Sequence, residues 1–336
     1  MSQKRVLTGV KPTGTVHLGN YVGAIKPAVK LINDARDCFL FVADYHALNA
    51  VRDAKELKES SYSVAATYLA FGIDLDKTVF YRQSDIPQIF ELATILAAVT
   101  PKGLMNRSHA YKAMIDKNTA AGKTGSELDD GVNMGLYTYP ILMAADILIA
   151  QSDIVPVGKD QIQHIEMTRD MAGSFNHLFG ETFKLPEFQV QESAGAIPGL
   201  DGQKMSKSYN NIIPLFETNK RRQKLIMKIV TDSKLPEEPK DPESSTIYQL
   251  YTQFGTEAEI AEMKKAFEQG GMGYGDAKKL LAEAVNRELE GPTELYNEWL
   301  ENRAKLDELL DAGAETARAV AKDTIRDVRK AIGVKA

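Results

Sequence analysis

Cysteine is almost absent: Cys38 is the only one in 336 residues, so neither a disulfide framework nor a Cys-rich zinc or iron–sulfur site can form. Long apolar runs are missing as well. The longest, Ile147-Leu148-Ile149-Ala150 behind Leu142-Met143-Ala144-Ala145, is interrupted by Asp146 and falls well short of the ~20 residues that span a bilayer. The first residues pass from Gln3-Lys4-Arg5 straight into Val6-Leu7, with no apolar core of a secretory signal, so a cytosolic protein is the expectation. Positive charge is not in surplus: 41 Lys and Arg face 46 Asp and Glu, a formal net charge of −5. That excludes a protein that coats DNA by bulk charge, but not one with a local basic patch for nucleic acid. Repeats and low-complexity tracts are also lacking. What remains is an ordinary globular composition, and at roughly 150 residues per domain the length allows about two domains.

Strand and helix signals alternate through the first half. Val6-Leu7-Thr8-Gly9 leads into the turn Lys11-Pro12-Thr13-Gly14 and an amphipathic stretch at 21–34. Residues 38–43 read as a buried strand, 54–71 as a helix and 78–81 as another strand, with further strands at 154–157 and 188–191. This order predicts βαβ units and a parallel sheet. Beyond about Pro214 the strand signal fades: 217–230 is helical and charged, 234–244 is a loop, and 246–331 reads as helices broken at Gly270-Gly271 and Gly291-Pro292. The boundary divides an α/β part, 1–213, from a mostly α-helical part, 214–336. Two stretches, 101–125 and 201–230, carry local charges of +4 and +5; such runs are commonly solvated helix faces, yet in an acidic α/β chain they also point toward phosphate.

Three segments carry chemistry. Pro12-Thr13-Gly14-Thr15-Val16-His17-Leu18-Gly19-Asn20-Tyr21 directly follows the first strand. Doubly wound sheets bind ligands beyond the carboxyl ends of their strands, where backbone N–H groups can meet phosphate. Gly14 and Gly19 permit close backbone approach, while His17 and Asn20 supply donors; His17 also reads as a capping or core histidine. Gly122-Lys123-Thr124 is no P-loop, because Lys117 stands where the first glycine is needed. The second segment, Gly199-Leu200-Asp201-Gly202-Gln203-Lys204-Met205-Ser206-Lys207-Ser208, sets two lysines three apart in a glycine-flanked polar loop. It reads either as an exposed loop or as a mobile cationic clamp for a leaving pyrophosphate. In the third, Tyr139, Met143 and Asp146 share one helix face at i, i+4 and i+7. An unpaired carboxylate on that apolar helix is costly, so Asp146 needs either a nearby Arg or Lys or a buried N–H donor. An indole N–H fits, with Met143 and Tyr139 packed beside the ring.

His17-Leu18-Gly19-Asn20 resembles the HIGH motif of class I aminoacyl-tRNA synthetases, and Lys204-Met205-Ser206-Lys207-Ser208 reproduces their KMSKS motif. Occurring together and in this order, about 190 residues apart, they form a specific pair of signals. The stretch from Tyr139 to Asn176 resembles the tryptophanyl-tRNA synthetases of bacterial type, as do Gly19-Asn20-Tyr21-Val22-Gly23-Ala24, Asp44-Tyr45-His46-Ala47-Leu48, Val230-Thr231-Asp232-Ser233 and Gly273-Tyr274-Gly275. The resemblance thus covers nearly the whole chain.

The resemblance implies a Rossmann-like doubly wound catalytic domain followed by a helical region that contacts the anticodon. It implies ATP with Mg²⁺, the metal held by no protein side chain, and as partners L-tryptophan, tRNA(Trp) and a second copy in a homodimer. Lys11, Pro12, Thr13, Gly19, Asn20, Gly158, Lys159, Asp160, Ile197, Lys204, Met205, Ser206, Lys207 and Ser208 are the implied ATP contacts. His17, Asn20, Lys112, Lys204 and Lys207 would act on the phosphates. Tyr139, Met143, Asp146, Leu7, His46, Val155, Val157 and Gln161 would hold tryptophan, with Asp160 and Gln161 orienting ribose or the substrate amine. Lys11, Lys159 and Leu7 depart from the residues usual in the family (Gln, Glu and Phe), and the two lysines make the ATP site more positive. Two rivals remain, a tyrosine-specific synthetase and a non-catalytic synthetase-like binding protein. Met143 favours tryptophan, because the tyrosine enzymes carry Gln there and a phenol needs that extra polar partner. The intact clamp lysines favour an enzyme over a binding protein.

Overall fold

The computed structural model describes residues 4–190 and 195–335. Five strands, β1 (Val6–Val10), β2 (Cys38–Val42), β3 (Thr78–Arg82), β4 (Ile154–Val157) and β5 (Glu187–Val190), form one parallel sheet in the order β3-β2-β1-β4-β5. The strand expected at 188–191 is observed at Glu187–Val190; Gln191 lies outside the described residues. Every residue of β2 is buried, as in a central strand covered on both faces.

Helices fill the crossovers. After β1, α1 (Leu18–Asn20) runs through a π-turn at Tyr21–Ile25 into α2 (Lys26–Asp34). α3 (Asp44–Ala47) and α4 (Ala54–Ala70) join β2 to β3. α5 (Gln88–Val99), α6 (Lys102–Met105), α7 (His109–Ala120) and α8 (Met134–Ile149) lead to β4, and α9 (Ile162–Phe179) leads to β5. The remainder is helical: α10 (Asn219–Ile226), α11 (Thr246–Tyr251), α12 (Glu257–Gln269), α13 (Tyr274–Glu301) and α14 (Arg303–Ala331).

The strand order locates the site. From β1 the chain winds outward to β3, then crosses back to β4 on the other side of β1. Two crossovers therefore diverge between β1 and β4, leaving a crevice beyond their carboxyl ends. Alternate strand residues feed two cores: Leu7, Phe39 and Phe41 face α5, α8 and α9, whereas Val6, Cys38, Leu40 and Val42 pack with buried residues of α2 and α4. A third core belongs to α10–α13 but takes in Leu18, Tyr21, Ile197 and Met205, so the helical region is built directly beneath the two motif segments.

Two expectations are corrected. Gly291-Pro292 breaks nothing: Pro292 lies inside α13. The lost backbone donor is outweighed by packing on both sides, Leu289 being fully buried and the Tyr296 ring stacking on Phe216 at 3.7 Å between centroids. The interruption comes instead at Asn302, whose side chain caps α14. Nor does α14 stay with the helical region. It returns to the sheet, burying Leu306 and Leu310 in one core and Ala314, Ala317 and Ala321 in the other, each leucine contributing about 2 kcal/mol. Gly313 permits this approach, because a Cβ there would lie 1.9 Å from the Phe80 carbonyl oxygen in β3.

Candidate active site

A cavity of about 450 Å³ opens in the crevice between β1 and β4. Leu7 from β1, Val155 and Val157 from β4, His46 from α3, Gln161 and the α8 face of Tyr139, Met143 and Asp146 all line it, bringing together the eight residues assigned to tryptophan by resemblance. Phe41, Ala43 and Gly158 complete much of the wall.

Asp146 is 2% exposed, and its partners are neither Arg nor Lys. His46 Nε2 lies 2.9 Å from Oδ2, while Gln83 Nε2 donates to Oδ1 at 3.0 Å and Oδ2 at 2.9 Å. Burial pushes the carboxyl upward from its ordinary range, and these two partners pull it back. A carboxylate offers about four acceptor sites, so one remains, on Oδ1. Beside it the Tyr139 hydroxyl bonds the His164 ring. Burial, aided by the neighbouring His109, lowers His164 to about 4, and burial raises Tyr139 to about 12, so both are neutral near pH 7.

A cleft of about 600 Å³ adjoins the cavity. Val10, Lys11, Ala24 and Tyr68 border both, so the two spaces are immediate neighbours. Thr13, Gly14, His17 and Asn20 form one wall; Lys204, Met205, Ser206, Lys207 and Ser208 form the other. His17 is a cap and a wall residue at once. Its Nδ1 accepts the Asn20 N–H at 3.3 Å, and Asn20 Oδ1 accepts the His17 N–H at 3.2 Å. Burial and the Lys207 charge lower His17 to about 4. The ring is therefore neutral, and with Nδ1 accepting, Nε2 carries the proton.

The KMSKS segment is a hairpin tip anchored at its base. Met205 N–H donates to the Ile197 carbonyl at 2.8 Å and Gly199 N–H to that of Gln203 at 2.7 Å. Asn211, buried, ties Asp201, Lys204 O and the Ser206 N–H together. Met205 is buried against Gly19, whose N–H meets its sulfur at 3.3 Å. Lys207 Nζ donates to the Thr13 carbonyl at 2.7 Å, and burial lowers its pKa, as it does that of Lys11. Gly14, at φ +57, makes room for this lysine: a Cβ there would sit 2.6 Å from Nζ. An isolated antiparallel bridge, His17 to Pro214, stitches the HIGH-like segment to the chain leaving the loop.

Other assigned residues stand further off. Gly158 is on the cavity wall rather than in the cleft; Pro12 and Ile197 are buried and line neither space. Lys159 and Asp160 are exposed on the turn after β4. Lys112 is exposed on α7 and borders neither space; this helix is secured through its one buried residue, Asn118, and Lys112 lies away from that side. Sequence reasoning passed over Gln83 and His164, which hold Asp146 and Tyr139. The signal for Gln83 was its position, a lone amide at the carboxyl end of a buried strand. Among the described residues no group of three or more His, Cys, Asp or Glu is placed to hold a metal, and no helix is long and apolar enough to cross a membrane.

Residues 2–290 match the family described as tRNA synthetases class I (W and Y). The tryptophan–tRNA ligase of Neisseria meningitidis is 51% identical over 336 residues, covering 100% of this chain and 99% of its own length. That of Pseudomonas aeruginosa is 47% identical over 335 residues, 98% of this chain and 74% of its own. The crystal structure of the Campylobacter jejuni tryptophanyl-tRNA synthetase, complexed with ADP and tryptophan, superposes with a TM-score of 0.88 at 44% identity, covering 98% of this chain and all of that one.

Proposed function

Because the chain belongs to the class I tryptophanyl-tRNA synthetases, we propose that the cavity takes L-tryptophan and the adjoining cleft takes ATP. The activity is tryptophan–tRNA ligation, ATP-dependent. The tryptophan carboxylate attacks the α-phosphorus of ATP, the bond to the pyrophosphate oxygen breaks, and tryptophanyl-adenylate forms. A terminal ribose hydroxyl of tRNA(Trp) then attacks the acyl carbon and releases AMP.

No protein nucleophile is needed; catalysis is positioning and electrostatics. Asp146 accepts the indole N–H at its remaining site, and Met143, Leu7, Val155 and Val157 pack against the ring. His17 acts as a neutral Nε2–H donor to phosphate, joined by Asn20. Lys204 and Lys207 stabilise the departing pyrophosphate, with Lys207 leaving the Thr13 carbonyl for the charged ligand. Lys112 reaches the phosphates only if α7 or its side chain moves inward. Gln161 and Asp160, joined at 2.8 Å on the turn after β4, orient the amine or ribose. The cleft wall carries lysines and no carboxylate, which does not suit a resident Mg²⁺ site; the ion enters as part of the nucleotide substrate. The helical region up to α13 contacts the anticodon, and the protein works as a cytoplasmic homodimer.

One observation carries this reading: a buried carboxylate with one acceptor site free faces a cavity that shares part of its wall with a lysine-lined cleft. ATP–pyrophosphate exchange, with each amino acid in turn, tests it. Exchange should depend on tryptophan; dependence on tyrosine would transfer the cavity to the phenol, and no exchange with any amino acid would leave a binding protein.

A further inference from the structure

We propose that Gln83 is a positioning residue that presents Asp146 as an acceptor and so sets the preference for a substrate ring that carries N–H; this rests on the reading of Asp146 above. Gln83 is fully buried just past β3 and is not on the cavity wall, so whatever it does for the substrate it does through another group.

Its amide is locked. Nε2 lies within 3.0 Å of both Asp146 oxygens, and Oε1 accepts the His46 backbone N–H at 3.3 Å. Turning the amide over would set Oε1 against the carboxylate and Nε2 against an N–H, losing both interactions. His46 closes the ring from its other end, its Nε2 lying 2.9 Å from Oδ2. The residue therefore donates to Asp146 in the one orientation its surroundings allow.

This arrangement decides what Asp146 offers the cavity. As a carboxylate it accepts at Oδ1; protonated there, it would present a hydrogen to the substrate N–H and repel it. Burial favours protonation, while Gln83 and His46 oppose it. The other titratable groups around Asp146 are Tyr81 on β3, Tyr139 on its own helix with His164 behind, and Lys11 across the cavity. None of these is bonded to the carboxylate, so removing Gln83 leaves His46 as its single hydrogen-bonding partner.

The test compares L-tryptophan with β-(3-benzothienyl)-L-alanine, whose ring has sulfur in place of N–H, in ATP–pyrophosphate exchange from pH 5.5 to 8.5. Gln83→Met should lower kcat/KM for tryptophan roughly 10- to 100-fold, leave the sulfur analogue and the KM for ATP within about twofold, and move the acid limb for tryptophan to higher pH. Equal losses for both substrates, or an unmoved limb, would reduce Gln83 to a packing role and overturn the proposal. Gln83→Glu provides an independent reading should Gln83→Met fail to fold. Two carboxyls sharing one proton keep the bond, so tryptophan use should persist at low pH and fall as the shared proton leaves; a profile like that of the unmodified protein would overturn the proposal. Asp146→Ala, which leaves no acceptor, separates the two levels. If it leaves the preference for tryptophan intact, the indole-acceptor reading itself fails; if it abolishes the preference while Gln83→Met does not, only the role of Gln83 falls.

Discussion

The cavity and the cleft share four wall residues yet are built by opposite means. The cavity stands on strand ends and one long helix. Its acceptor is buried and held by buried groups, Asp146 by His46 and Gln83, and the half-buried Tyr139 is bonded to the buried His164. The cleft is formed by two turns, and its working cations are exposed, with Lys207 bonded to a main-chain carbonyl. The difference follows from the tasks. Choosing one amino acid requires an acceptor whose direction and charge are fixed before the substrate arrives. Stabilising a leaving pyrophosphate requires charge that engages as the bond breaks, then releases the product.

The largest effect should come from breaking the fixed side. Asp146→Ala removes the acceptor and strands two buried partners, so tryptophan-dependent exchange should fall by roughly 10³-fold while the KM for ATP changes little. Wild-type steady-state constants for tryptophan would remove Asp146 from recognition. On the adaptable side, Lys204→Ala and Lys207→Ala should each lower the rate of adenylate formation by about 10²-fold, with tryptophan affinity nearly unchanged. Stopped-flow traces of a single turnover measure this, and an unaltered burst would assign the loop to tRNA instead. The smallest effect sharpens the comparison without breaking anything. ATP with a non-reactive tryptophan analogue should slow hydrogen exchange about tenfold at residues 199–211, because a triphosphate relieves repulsion between two cations on a glycine-flanked tip. The α8 face should change far less, and equal protection of the tip with and without ligand would mean a rigid clamp.

Legibility in the sequence follows the same division. Periodicity and strand–helix alternation reveal the sheet because they are local, and the i, i+4, i+7 face of Tyr139, Met143 and Asp146 was readable since a helix alone fixes it. His17 was ambiguous between cap and ligand, and the structure gives it the cap while leaving it on the cleft wall. The partners of Gln83 and His164 were opaque, because a contact 63 or 25 positions away is a product of topology rather than of spacing. The destination of α14 was hidden for a related reason: amphipathicity announces that a face will be buried but not against what. Gly291-Pro292 misled because turn propensity is weak beside the packing of Leu289 and Tyr296.

The return of α14 to β3 also sets a schedule. β3 is an outer strand of the sheet, and its cover begins at Arg303, about 220 residues later. At roughly 5–20 residues per second of synthesis, the emerging chain carries that strand uncovered for about 10–40 s, a ready template for another nascent copy. Arg82 is its only charged residue and discourages such pairing while the strand waits. When α14 arrives, the same guanidinium closes on Asp307 and Asp311, so the guard of the unfinished protein becomes the latch of the finished one.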